Sequence, residues 1–218
     1  MKLPTEQQCL DYFAEYKVPK NIFSHCVKVR EVSVFLAAKL MQSGMKINVD
    51  FVSCLSLSHD LFKVVSLKAL EPNEFHKYQF SAEEIAGWKS LRGKYPGKHE
   101  GEVAYEIFKD EYPEFAVSLK NVSSPHHENP SWEELIVHYA DWRVFQEKVV
   151  PLSQRLAYLR QQYPRSDEAW NSYEKKIRKM EFTIFSNLSF SPELLSENMD
   201  IEINEGMNGE MDKMRLKI

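Results

Sequence analysis

Apolar residues in this chain return every three or four positions and almost nowhere every two. Val29, Val32, Leu36 and Leu40 fall at helical spacing, and Trp170, Tyr173, Ile177, Met180, Ile184 and Leu188 repeat the pattern further on. Seven glycines in 218 residues leave few tight reversals, and no segment before the far C-terminus alternates like a hairpin. The expected fold class is therefore all-α, a bundle of about nine helices around one core with a C-terminal helical extension.

Start and stop signals divide the chain. A first helix, about Glu6–Tyr16, stops before Val18-Pro19, and a second, about Asn21–Gln42, ends at Ser43-Gly44. A third starts after Asn48 as N-cap and runs to about Val65, and residues 66–80 read as irregular. Ser81 with Glu84 and Ser131 with Glu134 are capping boxes, opening helices to about Leu91 and Lys148. Between them the spacing predicts helices over His99–Glu111 and from Pro113 to Ser124. Pro151 begins another to Tyr163, Pro164-Arg165-Ser166 breaks it, and a long helix follows to about Leu188. The tail from Ser191 opens with SPELL and turns Met-, Glu- and Asn-rich, which fits either a disordered end or a small hairpin. Residues 1–163 thus read as the main domain, 164–190 as a long helix packed on it, and 191–218 as a tail.

A net charge of −4 gives no bulk attraction to nucleic acid or acidic lipid, so a nucleic-acid partner is disfavoured. No apolar run is long enough to span a membrane. The opening MKLPTEQQCLDYFAEYKVPKN lacks a signal-peptide core, so a cytoplasmic location is expected. Cys9, Cys26 and Cys54 are odd in number and lack CxxC spacing, and they read as reduced packing residues.

Polar residues on apolar faces carry the functional signal. His25 shares its face with Val29, Val32, Leu36 and Leu40, and His59 shares one with Val52, Leu55 and Phe62. Either imidazole alone is most simply a hydrogen-bonded core residue. With Asp60 beside His59, they supply two nitrogen ligands and a carboxylate, enough to seed a metal site. Helix neighbours diverge by about 100°, so an ion touched by both His59 and Asp60 sits between their directions. Asp141, in the apolar run HYADWRVF, needs a partner because an unpaired buried carboxylate is costly. His99 opens one helix and His126-His127 closes another, leaving His76 and His138 as bystanders.

The order H…HD…H…HH…D over about residues 20–163 resembles the HD-domain superfamily of metal-dependent phosphohydrolases, an all-α fold. On that likeness His25, His59, Asp60 and Asp141 match the ligands of a first metal, with Asp60 also bridging. His99 and His126 match the further ligands of two-metal members, such as the diadenosine-tetraphosphate hydrolases and the cyclic-di-GMP phosphodiesterases. HEGEVAYEIF and PHHE look like family strings, and YADWRVFQEKVVPLSQRLAYLRQQYP is similar to the closing helices of small HD hydrolases. NPSWEEL stands where the cyclic-dinucleotide branch has a glycine-rich motif, which argues against that substrate. The gap from Asp60 to His99 is long, and the role of His127 stays open between ligand, supporting donor and substrate contact.

The resemblance implies hydrolysis of phosphate mono- or diesters of nucleotides with one or two divalent ions among manganese, iron, nickel, cobalt and magnesium. Such ions lower the pKa of bound water and draw charge from phosphoryl oxygens, so no serine, cysteine or threonine nucleophile is needed. Asp60 is then catalytic as well as a ligand. Lys63, one turn beyond the pair in HDLFK, is the expected phosphate-binding lysine, with a solvated lysine as the bland alternative. Arg143 is a candidate second phosphate anchor, with a surface ion pair as the alternative. Lys89, Arg92, Lys94 and Lys98 in WKSLRGKYPGKHE can form a guiding rim, though a charged solvated loop is the commoner outcome. Trp88, Tyr78 and Trp132 can stack a base, with core packing as the default. The rival class is a metal-holding nucleotide sensor without turnover. The long C-terminal helix offers a possible homodimer surface.

Overall fold

The computed structural model describes residues 1–67, 78–124 and 127–206, and among them lie ten α-helices and one two-stranded hairpin. The helices are α1 (Glu6–Glu15), α2 (Lys20–Gln42), α3 (Val49–Ser58), α4 (Ala82–Lys94), α5 (Glu100–Phe108) and α6 (Pro113–Val122). After them come α7 (Trp132–Arg143), α8 (Leu152–Gln162), α9 (Asp167–Phe185) and α10 (Leu195–Gly206). Between α7 and α8, β1 (Val144–Phe145) pairs antiparallel with β2 (Lys148–Val149). The all-α expectation holds, and no helix of the described residues is long and apolar enough to cross a membrane.

The caps form as the sequence spells them. The Ser81 and Ser131 hydroxyls accept from the Glu84 and Glu134 backbone N–H groups at 3.1 and 3.2 Å, and each glutamate reaches back to its cap. Asn48 accepts from the Phe51 backbone N–H at 3.0 Å to open α3. Gly44 stands just past the end of α2 with φ +95°, a conformation that favours glycine.

α2 lies against both α3 and α7, and these three helices carry the centre of the core. Every residue of α3 from Phe51 to Ser58 is buried. α5 and α6 approach so closely that a Cβ on Gly101 would stand 2.6 Å from the Ser123 Cβ. Among the cysteines, Cys9, Cys26 and Cys54 are free and buried, as packing residues should be.

Two helices end earlier than their apolar spacing predicts. α3 gives way after Ser58 to three-residue bonds, Leu61 to the Ser58 carbonyl at 3.2 Å and Lys63 to the Asp60 carbonyl at 2.9 Å, leading into a 3₁₀ turn over Lys63–Val65. α7 ends at Arg143 rather than near Lys148 because the hairpin follows at once, and Gln146 at its tip takes φ 57°. The helix that opens the tail runs as α10 to Gly206, and residues 207–218, the end read as either disordered or a small hairpin, lie outside the described ones.

Arg143 corrects a functional expectation. It is 3% exposed and donates to the Val150 carbonyl at 2.8 Å, the Pro192 carbonyl at 3.0 Å and the Tyr139 hydroxyl, with Glu181 Oε2 3.6 Å away. A guanidinium so committed bolts α7 to α9 and to the segment before α10. It is buried and is not among the residues that line the cavity beside the ligand cluster, so it is not placed to anchor a phosphate there.

Candidate metal centre

The packing of α2, α3 and α7 sets three polar positions against one another. His25 comes from α2, His59 and Asp60 from the tightened end of α3, and Asp141 from the last turn of α7. His25, His59 and Asp60 each offer a ligand atom within 4.8 Å of the others, a group that can hold a metal ion. Asp141 Oδ1 joins them, 2.9 Å from His25 Nε2 and 3.8 Å from His59 Nε2. Four of the six residues expected as ligands therefore meet.

The imidazoles are held by their other nitrogens. His59 Nδ1 donates to the Ser56 carbonyl at 2.7 Å, which leaves Nε2 turned toward Asp60 Oδ2 at 4.0 Å. That Nε2 is buried and has no hydrogen-bond partner. His25 Nδ1 faces the Gln146 carbonyl at 3.4 Å, and the left-handed backbone of Gln146, uncommon outside glycine, turns that carbonyl inward. An imidazole anchored by one N–H to a backbone carbonyl, its other nitrogen free, is the usual posture of a metal ligand, and His59 holds it. His25 Nε2 is instead engaged by Asp141 Oδ1, and the two imidazole nitrogens with the two carboxylates are a donor set that fits a divalent ion.

The charges agree. Burial opposes the Asp141 carboxylate, but the His25 hydrogen bond and the nearby His59 imidazole outweigh it and hold the carboxyl well below its usual range. Burial likewise opposes a charged His59, yet the groups around it, Asp60 and Asp141 among them, raise its pKa well above the ordinary value. Positive charge is wanted at this point, from a proton or a cation.

Lys63 stands beside the cluster, its Nζ 3.4 Å from Asp60 Oδ1 and 2.9 Å from Glu100 Oε1. Glu100, the first residue of α5 and 3% exposed, escaped the sequence reading. It also meets the Ser66 hydroxyl and lies 3.0 Å from His99 Nε2. Burial works against its charge, but His99, Lys63 and Ser66 hold it well below the carboxylate range. Burial also works against Lys63, and Asp60 and Glu100 more than offset it, keeping the ammonium charged.

The remaining expectations sort by position. His99 borders the same cavity but across Lys63 and Glu100 from the ligand group. His126 and the bystander His76 lie outside the described residues. His127 turns to the buried Glu134, 3.2 Å away. His138 is no bystander, for it lines the cavity, and burial pushes its pKa down to about 4. The expected basic rim is not on the cavity wall. Arg92 donates to the Val64 and Leu67 carbonyls, and Lys98 pairs with Glu106. Trp88 is core, 1% exposed, and Tyr78 bonds Asn21 at 2.9 Å.

The cluster opens on a cavity of about 760 Å³, whose cationic lining is Lys63, Arg155, Arg165 and Lys176. The last three come from α8, α9 and the turn between them, which the sequence marked only as amphipathic helix and a break. No protein-family model, no curated protein and no solved structure matches the chain.

Proposed function

We propose that this chain is a phosphohydrolase of the HD type that holds one divalent ion at His25, His59, Asp60 and Asp141 and cleaves a phosphate ester of a nucleotide. The observation that carries the reading is the His59 ring: one nitrogen is fixed to the Ser56 carbonyl, and the other is buried, unpartnered and flanked by two carboxylates. A bound divalent ion supplies Lewis acidity, acidifying water and drawing charge from phosphoryl oxygens.

The chain's own residues have separable tasks. Lys63 presents a fixed ammonium beside Asp60, suited to hold a phosphoryl oxygen next to the ligand cluster. Glu100 keeps that ammonium in place and charged. His138, kept neutral above about pH 4 by burial, gives the cavity an uncharged polar wall. The position of Lys63 between Asp60 and Glu100 favours a single ion, because a second one bridging toward His99 would meet a like charge.

The test is metal analysis of the purified protein, followed by hydrolysis of p-nitrophenyl phosphate and bis(p-nitrophenyl) phosphate with manganese, iron, nickel, cobalt or magnesium. Turnover with at least one ion is expected, and Asp60→Ala should lose both metal and activity. A wild-type protein that binds no divalent ion, or an Asp60→Ala variant with full turnover, refutes the reading. Bound metal without turnover on any ester moves the chain to the sensor class.

A further inference from the structure

The cavity beside the ligand cluster carries both signs of charge. Asp60 and Asp141 suit a cation, whereas Arg155, Arg165 and Lys176, from α8, α9 and the turn between them, line the same cavity. Arg155 is the telling residue. Its Nε is buried with no hydrogen-bond partner, and its guanidinium carbon lies 5.5 Å from the Phe145 ring and 5.8 Å from the Tyr158 ring. The aromatic faces hold the cation in place without answering its donors. A buried charged donor without an acceptor is costly, and a ligand that brings the acceptor removes the cost.

The surroundings say what the acceptor belongs to. Arg165 lies 5.0 Å from the Tyr173 ring and donates to its hydroxyl at 2.7 Å, so the same pairing of cation and ring recurs on the same wall. Trp142 and Trp170 also line the cavity. About 760 Å³ is far more than one phosphoryl group needs and falls within the range of pockets for whole small ligands. Planar walls suit a nucleobase, and fixed guanidinium groups suit a phosphate.

We infer that Arg155, with Arg165 and Lys176, forms a second anion subsite, so that the substrate is a nucleotide carrying another phosphate besides the one at the ligand cluster. The part of this statement that concerns the ligand cluster rests on the phosphohydrolase reading; the subsite itself does not.

The test uses the full chain with a chelator present, so that no metal contributes and no turnover occurs. Equilibrium binding of adenosine 5′-monophosphate is compared with that of adenosine, in the wild type and in Arg155→Met. The wild type is expected to bind the phosphate-bearing ligand at least about tenfold more tightly, a ratio that falls toward one in the variant. Arg155→Lys, which keeps the charge without the planar fork, is expected to lose at least about threefold and serves if Arg155→Met loses its helical circular-dichroism signal. Equal binding of the two ligands by the wild type, or an unchanged ratio in a folded variant, overturns the subsite. Failure of the metal-loaded protein to cleave an aryl phosphate sinks the phosphohydrolase reading alone and leaves this result standing.

Discussion

Arg143→Met separates the role the sequence suggested for this residue from the role the structure gives it. Methionine keeps an apolar side chain of similar reach and removes the guanidinium. The Val150 and Pro192 carbonyls then lose donors at 2.8 and 3.0 Å inside the protein, and Glu181 loses the cation 3.6 Å away while keeping the Tyr139 hydroxyl at 2.7 Å. Each stranded acceptor costs about 1–3 kcal/mol. Taken with the broken pair, a loss of about 3–5 kcal/mol is expected, as for other buried ion pairs deprived of one partner. At a urea dependence of about 2–3 kcal/mol per molar, the unfolding midpoint should fall by about 1–2.5 M. The assay is urea unfolding followed by far-UV circular dichroism, alongside KM for an aryl phosphate measured well below the midpoint. The structural assignment requires a large shift in midpoint with KM changed less than threefold. A midpoint loss under about 1 kcal/mol together with a tenfold rise in KM would refute it and restore the anchor role.

Three other outcomes are expected. Gly101→Ala puts a Cβ 2.6 Å from the Ser123 Cβ and should cost about 1–3 kcal/mol by overpacking, with partial rescue by Ser123→Gly, read by thermal unfolding. In the metal-free protein Glu100 has a folded pKa below its unfolded value, so its contribution is complete above about pH 4.3 and is lost as pH falls through the folded value. Lys63→Met removes one of the groups that depress it, so less of the urea midpoint should be lost on acidification below about pH 4.3 than in the wild type; identical profiles would count against the Lys63–Glu100 pair. A divalent ion at a hundred times its dissociation constant should stabilise the wild type by about 2.7 kcal/mol, reversibly with chelator, and leave Asp60→Ala unmoved in calorimetry.

The helices were legible because burial demands apolar spacing, and caps at Ser81, Ser131 and Asn48 need only local residues. The early end of α3 was not. Three-residue winding keeps Leu61, Phe62 and Val64 buried much as a continued helix would, so the spacing carries no trace of the change. The hairpin after α7 has two residues per strand and Gln rather than glycine at its tip, so it lacks both alternation and a turn signature. His25, His59, Asp60 and Asp141 stood out as polar residues on apolar faces, and the structure brings these four together. Glu100 did not stand out, because an acidic residue in a first helical turn is ordinary and only Lys63 and Ser66, some 34–37 residues earlier, make it a buried carboxylate. Arg155 and Lys176 carried no signal in the sequence, since nothing local reveals that residues of α8 and α9 line a cavity. The basic run WKSLRGKYPGKHE drew attention by density alone, while Arg92 serves backbone carbonyls.

The bond from Arg143 to the Pro192 carbonyl also governs how this chain can be shortened. A fragment stopped after α8 would retain His25, His59, Asp60 and Asp141, and would look like a minimal catalytic unit. It would nevertheless lose the Glu181 carboxylate and the Pro192 acceptor that Arg143 is built against, along with the Lys176 wall. Excision of the last helices is thus expected to give insoluble or proteolysed material rather than a smaller folded unit, and a shortened chain should keep both α9 and Pro192.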